Sequence, residues 1–80
     1  MPDIEYLKNI LQGLVDNKEA VEIYRSVDEM GVLLTVHLSR PDMGKVIGRK
    51  GSTINAVRHI MKCFGYAIDA ELNVKIEEPA

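Results

Sequence analysis

The chain has eighty residues, enough for one small domain with a single thin core that buries roughly 60–65% of its extended surface. Hydrophobic residues make up 46% and charged residues 28%, and no apolar run approaches the roughly 20 residues of a membrane span, so a transmembrane helix is excluded. The formal net charge of −2 argues against a nucleic-acid binder, but its distribution reverses that argument. Between Arg40 and Lys62, six cations (Arg40, Lys45, Arg49, Lys50, Arg58, Lys62) face one anion, Asp42, a local charge of +5, while the rest of the chain carries −7. A compact basic patch on an acidic body is an electrostatic footprint that the overall charge hides. With Cys63 as the single cysteine, no internal disulfide can form. Met1 to Glu5 is acidic and lacks the basic and apolar regions of a signal peptide, so a reduced, cytoplasmic protein is expected.

In chain order, residues 3–16 read as a helix, with Ile4, Leu7, Leu11, Leu14 and Val15 on one face and Ile10 beside them. Asp3 is the expected N-cap, and Asn17, tolerant of the left-handed conformation, is the expected stop. The acidic residues scattered through the first half read as solubilising surface. Residues 20–27 alternate as a strand, with Val21, Ile23 and Val27 facing one way. Asp28 to Gly31 is a turn, and residues 32–38 form a second strand, joined to the first as an antiparallel hairpin.

Pro41 opens a short helix ending at Ile47. A glycine turn over residues 48–51 follows. Residues 53–64 then form a helix with a buried stripe of Ile54, Val57, Ile60, Met61 and Phe64, and Gly65 is the stop signal. Ala70, Leu72, Val74 and Ile76 alternate with Glu71, Asn73, Lys75 and Glu77 as a half-buried third strand. Residues 77–80 close the chain as a short tail, Glu77 completing the alternation. The order helix, strand, strand, helix, helix, strand predicts a two-layer α+β domain. Its three-stranded sheet is mixed, because the third strand follows a helical crossover, and three helices pack on one face.

The most informative stretch is Val46 to Ile54. Gly48 and Gly51 bracket Arg49 and Lys50, and Ser52 and Thr53 follow. Glycine at both ends lets the backbone approach a ligand closely. Ser52 or Thr53 is placed to cap the next helix, whose first amides favour an anion. Arg49 and Lys50 add two charges at the same spot. The reading is a phosphate-holding turn. A nucleotide loop is opposed by spacing, since it needs Gly-x-x-x-x-Gly-Lys-Ser/Thr after a strand, whereas here Lys50 precedes Gly51 and a helix precedes the turn. Lys45 and Arg58 extend the basic face, with Arg40 and Lys62, or belong to ordinary solvated helix surface. Ile47 and Ile54 flank the glycines as an apolar floor for bases or as core residues, core being favoured for Ile54.

The run Gly44 to Ile54, set between two helices, resembles the KH domain, whose signature is an Ile-Gly-x-x-Gly loop between two short helices. The element order looks like the type II, prokaryotic arrangement. The resemblance covers Asp3 to Ile76, so residues 1–80 would form a single KH domain, most similar to the small bacterial KhpA family. It implies a non-enzymatic protein that clamps single-stranded RNA by its backbone in the 48–51 loop. It further implies a homodimer, or a heterodimer with a larger KH protein of the KhpB/Jag type, in RNA regulation connected with cell-wall growth and cell shape. Site residues carried by the motif and its surroundings are Ile47, Gly48, Arg49, Lys50, Gly51, Ser52, Lys45 and Arg58. Without Trp, base stacking on aromatics is not a large term. A nucleotide-binding switch, and a dimerisation module with a vestigial loop, are the competing readings.

No cofactor and no metal is expected, because His37 and His59 have no carboxylate or thiol set at ligand spacing. His59 and Cys63 form an i, i+4 pair, but Met61 and Phe64 suggest a partly buried, inert thiol, and no third group orients it for catalysis.

Overall fold

The computed structural model describes residues Pro2 to Glu78. Helix α1 spans Pro2–Gln12, strand β1 Glu22–Asp28, β2 Gly31–His37, helix α2 Met43–Ile47, α3 Ser52–Ala67 and β3 Leu72–Glu77. The predicted element order is therefore realised, with a 3-10 turn over Lys18–Ala20 and another over Arg40–Asp42, so the segment from Pro41 to Ile47 is split between a 3-10 turn and α2. The sheet order is β1-β2-β3. β1 runs antiparallel to β2, with Ile23 opposite Val36 and Asp28 opposite Gly31. β3 runs parallel to β2, with Val32 opposite Leu72 and Leu34 opposite Val74.

The central strand shows why one face carries the core. Val32, Leu34 and Val36 of β2 are buried, while the residues between them are only partly covered. Leu7 and Leu11 of α1, Val46 of α2, Ile54, Val57 and Met61 of α3, and Leu72 and Val74 of β3 meet them. Each such fully buried Leu or Val contributes about 1.5–3 kcal/mol. On the outer face, Tyr24 and His37 meet edge-on at 4.9 Å.

Local departures from the sequence reading have identifiable causes. α1 ends at Gln12 rather than at 16. The Gly13 N–H is shared between the Asn9 and Ile10 carbonyls, and Leu14 bonds back to Leu11, so the chain tightens where glycine weakens the helix. Val15 stays buried without being helical. Asn17, at φ −93°, is not left-handed. Asp3 is not an N-cap but lies inside α1, almost fully buried, and its carboxylate accepts from the Ile4 N–H and from Arg25 Nε, both at 2.8 Å. Arg25 thus occupies the inward side of β1, and Asp3 is a structural acid rather than solubilising surface. Val27 is 62% exposed despite its inward alternation.

α3 runs through Gly65 and ends at Ala67. Gly65 is no stop signal. It is buried because the returning chain lies against it: a Cβ there would stand 2.3 Å from the Ala70 carbonyl oxygen. The left-handed residue past the helix end is Asp69, at φ 58°. Ile60 is 40% exposed and lies outside the stripe of Ile54, Val57 and Met61. Cys63 is exposed, not partly buried, with its Sγ 3.9 Å from His59 Nε2. Phe64 is half-buried and stacks on Tyr6 at 4.4 Å. Of the short C-terminal tail, Pro79 and Ala80 lie outside the described residues.

Candidate nucleic-acid interface

The turn between α2 and α3 is built from three left-handed residues in four. The Gly48 N–H closes α2 onto the Gly44 carbonyl at 2.9 Å, and the Gly51 N–H donates to the Gly48 carbonyl at 3.2 Å. Gly48 adopts φ 76°, ψ 176°, Lys50 φ 56°, ψ 27°, and Gly51 φ 78°, ψ 12°. The first combination is open in practice only to glycine, and the second is costly for lysine. The glycines are not equivalent. A Cβ on Gly48 would overlap Thr53, whereas one on Gly51 would meet only Asn55 Nδ2, at 3.7 Å.

Neither Ser52 nor Thr53 caps α3 as expected. Gly51 is the N-cap residue, no side-chain cap hydrogen bond is made, and exposed Ser52 is the first helical residue. Its N–H bonds to the Arg49 carbonyl. The start of a sixteen-residue helix is therefore left without a side-chain oxygen over it, and its dipole faces the turn. Arg49 and Lys50 are both exposed, and neither enters an ion pair among the described residues.

The other candidates divide. Ile54 is buried and belongs to the core. Ile47 is half-buried and lines a cavity of about 220 Å³ with Arg40, Met43 and Glu78. Arg58 is exposed on α3, its Nε donating to the Val74 carbonyl of β3 at 3.2 Å and a second guanidinium nitrogen to Asn55 at 3.3 Å. Lys45 turns to two carboxylates, bonding Asp16 directly and standing 3.8 Å from Asp42. The Asp16 carboxylate holds the Lys45 ammonium above the usual lysine range. The contiguous run Ile47 to Ser52 thus forms one surface, with Arg58 farther along the same helix.

Asp42 was not singled out from the sequence. It is buried, and the backbone N–H groups of Asp16 and then Asn17, with the Ser39 hydroxyl and Lys45, hold its carboxyl below the usual aspartate range. The available signal was Ser39-Arg40-Pro41-Asp42, which has the spacing of a capping box. Its partners at 16 and 17 are invisible in that spacing.

Among the described residues no group of three or more His, Cys, Asp or Glu is arranged to hold a metal ion, and no helix is long and apolar enough to cross a membrane.

A helix-strand-strand-helix-helix-strand chain with a mixed sheet and a Gly-x-x-Gly turn between its second and third helices defines a type II KH domain. The chain belongs to the family described as KhpA/KhpB, KH domain, which matches residues 4–77. Over 58 residues it is 36% identical to the RNA-binding protein KhpA of Caldanaerobacter subterraneus subsp. tengcongensis, covering 72% of this chain and 77% of that protein. Over 74 residues it is 30% identical to the RNA-binding protein KhpA of Chlamydia pneumoniae, covering 92% and 95%. The same-named protein of Streptomyces coelicolor is 36% identical over 61 residues, 76% of this chain and 77% of that protein.

Proposed function

We propose that this protein is a non-enzymatic, cytoplasmic RNA-binding module that grips the phosphate backbone of single-stranded RNA at the Gly48–Gly51 turn. The observation that carries this reading is the turn itself. Its backbone is held open by two glycines, its two cations are exposed and outside any ion pair among the described residues, and it stands at a helix start with no side-chain cap. Arg49 and Lys50 position the strand without reading its sequence. Ile47 and Met43 offer an apolar wall to one base in the cavity beside the turn, whose other lining residues are Arg40 and Glu78, and Arg58 extends the cationic path. The names of the relatives support RNA as the polymer.

A single domain with this little aromatic surface binds weakly, and a second RNA-binding domain multiplies its affinity. The reading therefore includes a homodimer, or a heterodimer with a KhpB/Jag-type protein. It also includes work as an RNA chaperone or post-transcriptional regulator in cell-wall and cell-shape control. These finer parts rest on family resemblance.

The test is titration of short single-stranded RNA, double-stranded RNA and ATP against the wild type and a variant carrying Arg49→Asp and Lys50→Asp. Wild type is expected to bind single strands with log K falling against log salt at a slope of roughly −2 to −3, for three or four contacted phosphates. The variant is expected to lose binding with its circular dichroism and melting temperature unchanged. Unaltered RNA binding by the variant would overturn the clamp.

A further inference from the structure

Helix α2 is five residues long, well short of the roughly 12–15 residues an isolated helix needs to persist in water. Something else must seat it. Val46 is fully buried, which fixes one side. The other fixing is Asp42, immediately before the helix and 2% exposed. Its Oδ1 accepts the Asp16 N–H at 3.1 Å, and its Oδ2 accepts the Asn17 N–H at 3.0 Å and the Ser39 hydroxyl at 2.8 Å. Lys45, one turn on, adds its bond to Asp16. One carboxylate thus ties the start of α2 to the connection between α1 and β1, 25 and 26 residues away in the chain.

The RNA-gripping turn follows α2 with no intervening residue, since the Gly48 N–H still bonds to Gly44 within that helix. The downstream end of the turn is held by α3, a long helix with four buried residues. The upstream end has only the seat of α2. Among the described residues Arg49 and Lys50 enter no ion pair that would hold them, so their direction depends on the backbone that carries them.

We propose that Asp42 is the positioning residue of the Gly48–Gly51 turn. It touches no RNA. It locks α2 onto residues 16–17, so that the turn presents its amides and its two cations to a phosphate already in the bound pose. Ordering is then complete before RNA arrives, and less affinity is lost to it on binding. This inference rests on the RNA-binding reading above.

The experiment compares Asp42→Ala and Asp42→Asn with Val32→Ala, a core variant at the opposite end of the sheet. Single-stranded RNA titration, melting temperature and amide hydrogen exchange at Gly48 and Gly51 are measured at a temperature where circular dichroism shows each protein folded. Asp42→Ala is expected to weaken RNA binding by roughly tenfold and to speed exchange at Gly48 and Gly51, the signature of lost pre-organisation. Asp42→Asn, which keeps an acceptor oxygen but turns an amide group toward an N–H donor, is expected to fall between, and it serves if the alanine variant does not fold. Val32→Ala is expected to lower the melting temperature while leaving RNA affinity within about twofold of wild type, because distant sites act independently. Asp42 variants that lose melting temperature but keep both RNA affinity and slow exchange would overturn the proposal. Should wild type bind no RNA, the function reading falls by itself. The exchange rates still judge the anchor: unchanged exchange at Gly48 and Gly51 refutes it.

Discussion

A Cβ built on Gly48 would stand 2.2 Å from Thr53 Oγ1 and 2.7 Å from Thr53 Cβ. Gly48 is therefore excluded from substitution twice, by its backbone angles and by a side chain of the helix it introduces. Gly48→Ala is expected to destabilise the fold by about 2–4 kcal/mol, strain and overlap together. Gly51→Asn, at a position with room and a left-handed backbone that Asn tolerates, is expected to cost under about 1 kcal/mol. Chemical denaturation of the two variants checks the asymmetry, and equal losses would contradict it.

Lys50 sits at φ 56° without being a glycine. Holding a lysine there costs about 1–2 kcal/mol, partly offset when glycine replaces it by the greater freedom of the unfolded chain. Lys50→Gly is expected to raise stability by about 0.5–1 kcal/mol while weakening RNA binding. Opposite signs in melting temperature and RNA affinity are the result to look for, and they mark strain retained for function.

Gly65→Ala separates helix propensity from packing. In an open helix the substitution would gain about 1 kcal/mol. Here the new methyl would stand 2.3 Å from a backbone carbonyl oxygen that cannot swing aside. A loss of about 1–3 kcal/mol is expected instead, read as a lower denaturation midpoint.

The Asp42 carboxyl is held low by the Asp16 and Asn17 amides, with Ser39 and Lys45 adding to them. A depressed folded-state value stabilises the fold above the ordinary aspartate range, and that contribution disappears as pH falls through the depressed value. The melting temperature of wild type is expected to exceed that of Asp42→Asn at neutral pH, and the gap is expected to close between about pH 5 and pH 2. A gap that persists at the acid end would show that charge is not what the amides recognise.

The sequence alone determined the element order, the parallel return of the third strand and the glycine turn with its two cations. These follow from local signals: period-2 and helical spacing, glycine at turns, and a charge excess confined to one segment. Local signals fail where a residue answers to something distant in the chain. Gly65 reads as a helix stop, but α3 continues through it because the chain at Ala70 packs against that position. Asp3 reads as a cap, but it pairs with Arg25 on the neighbouring strand. Ile60 has the right composition for the core and the wrong angle around α3.

At the candidate site, the glycine turn and its two cations were legible and their support was not. Gly48, Arg49, Lys50 and Gly51 are contiguous, so their spacing states their relation. Ser52 and Thr53 take no capping role, because Gly51 occupies the cap position and Thr53 packs against Gly48. Lys45, one cation among six in the basic segment, faces Asp16. Asp42, the lone anion there, gathers donors from residues 16, 17 and 39. Only the tertiary structure brings those groups within hydrogen-bonding distance. A buried carboxylate needs several donors at once, and no single stretch of this chain supplies them.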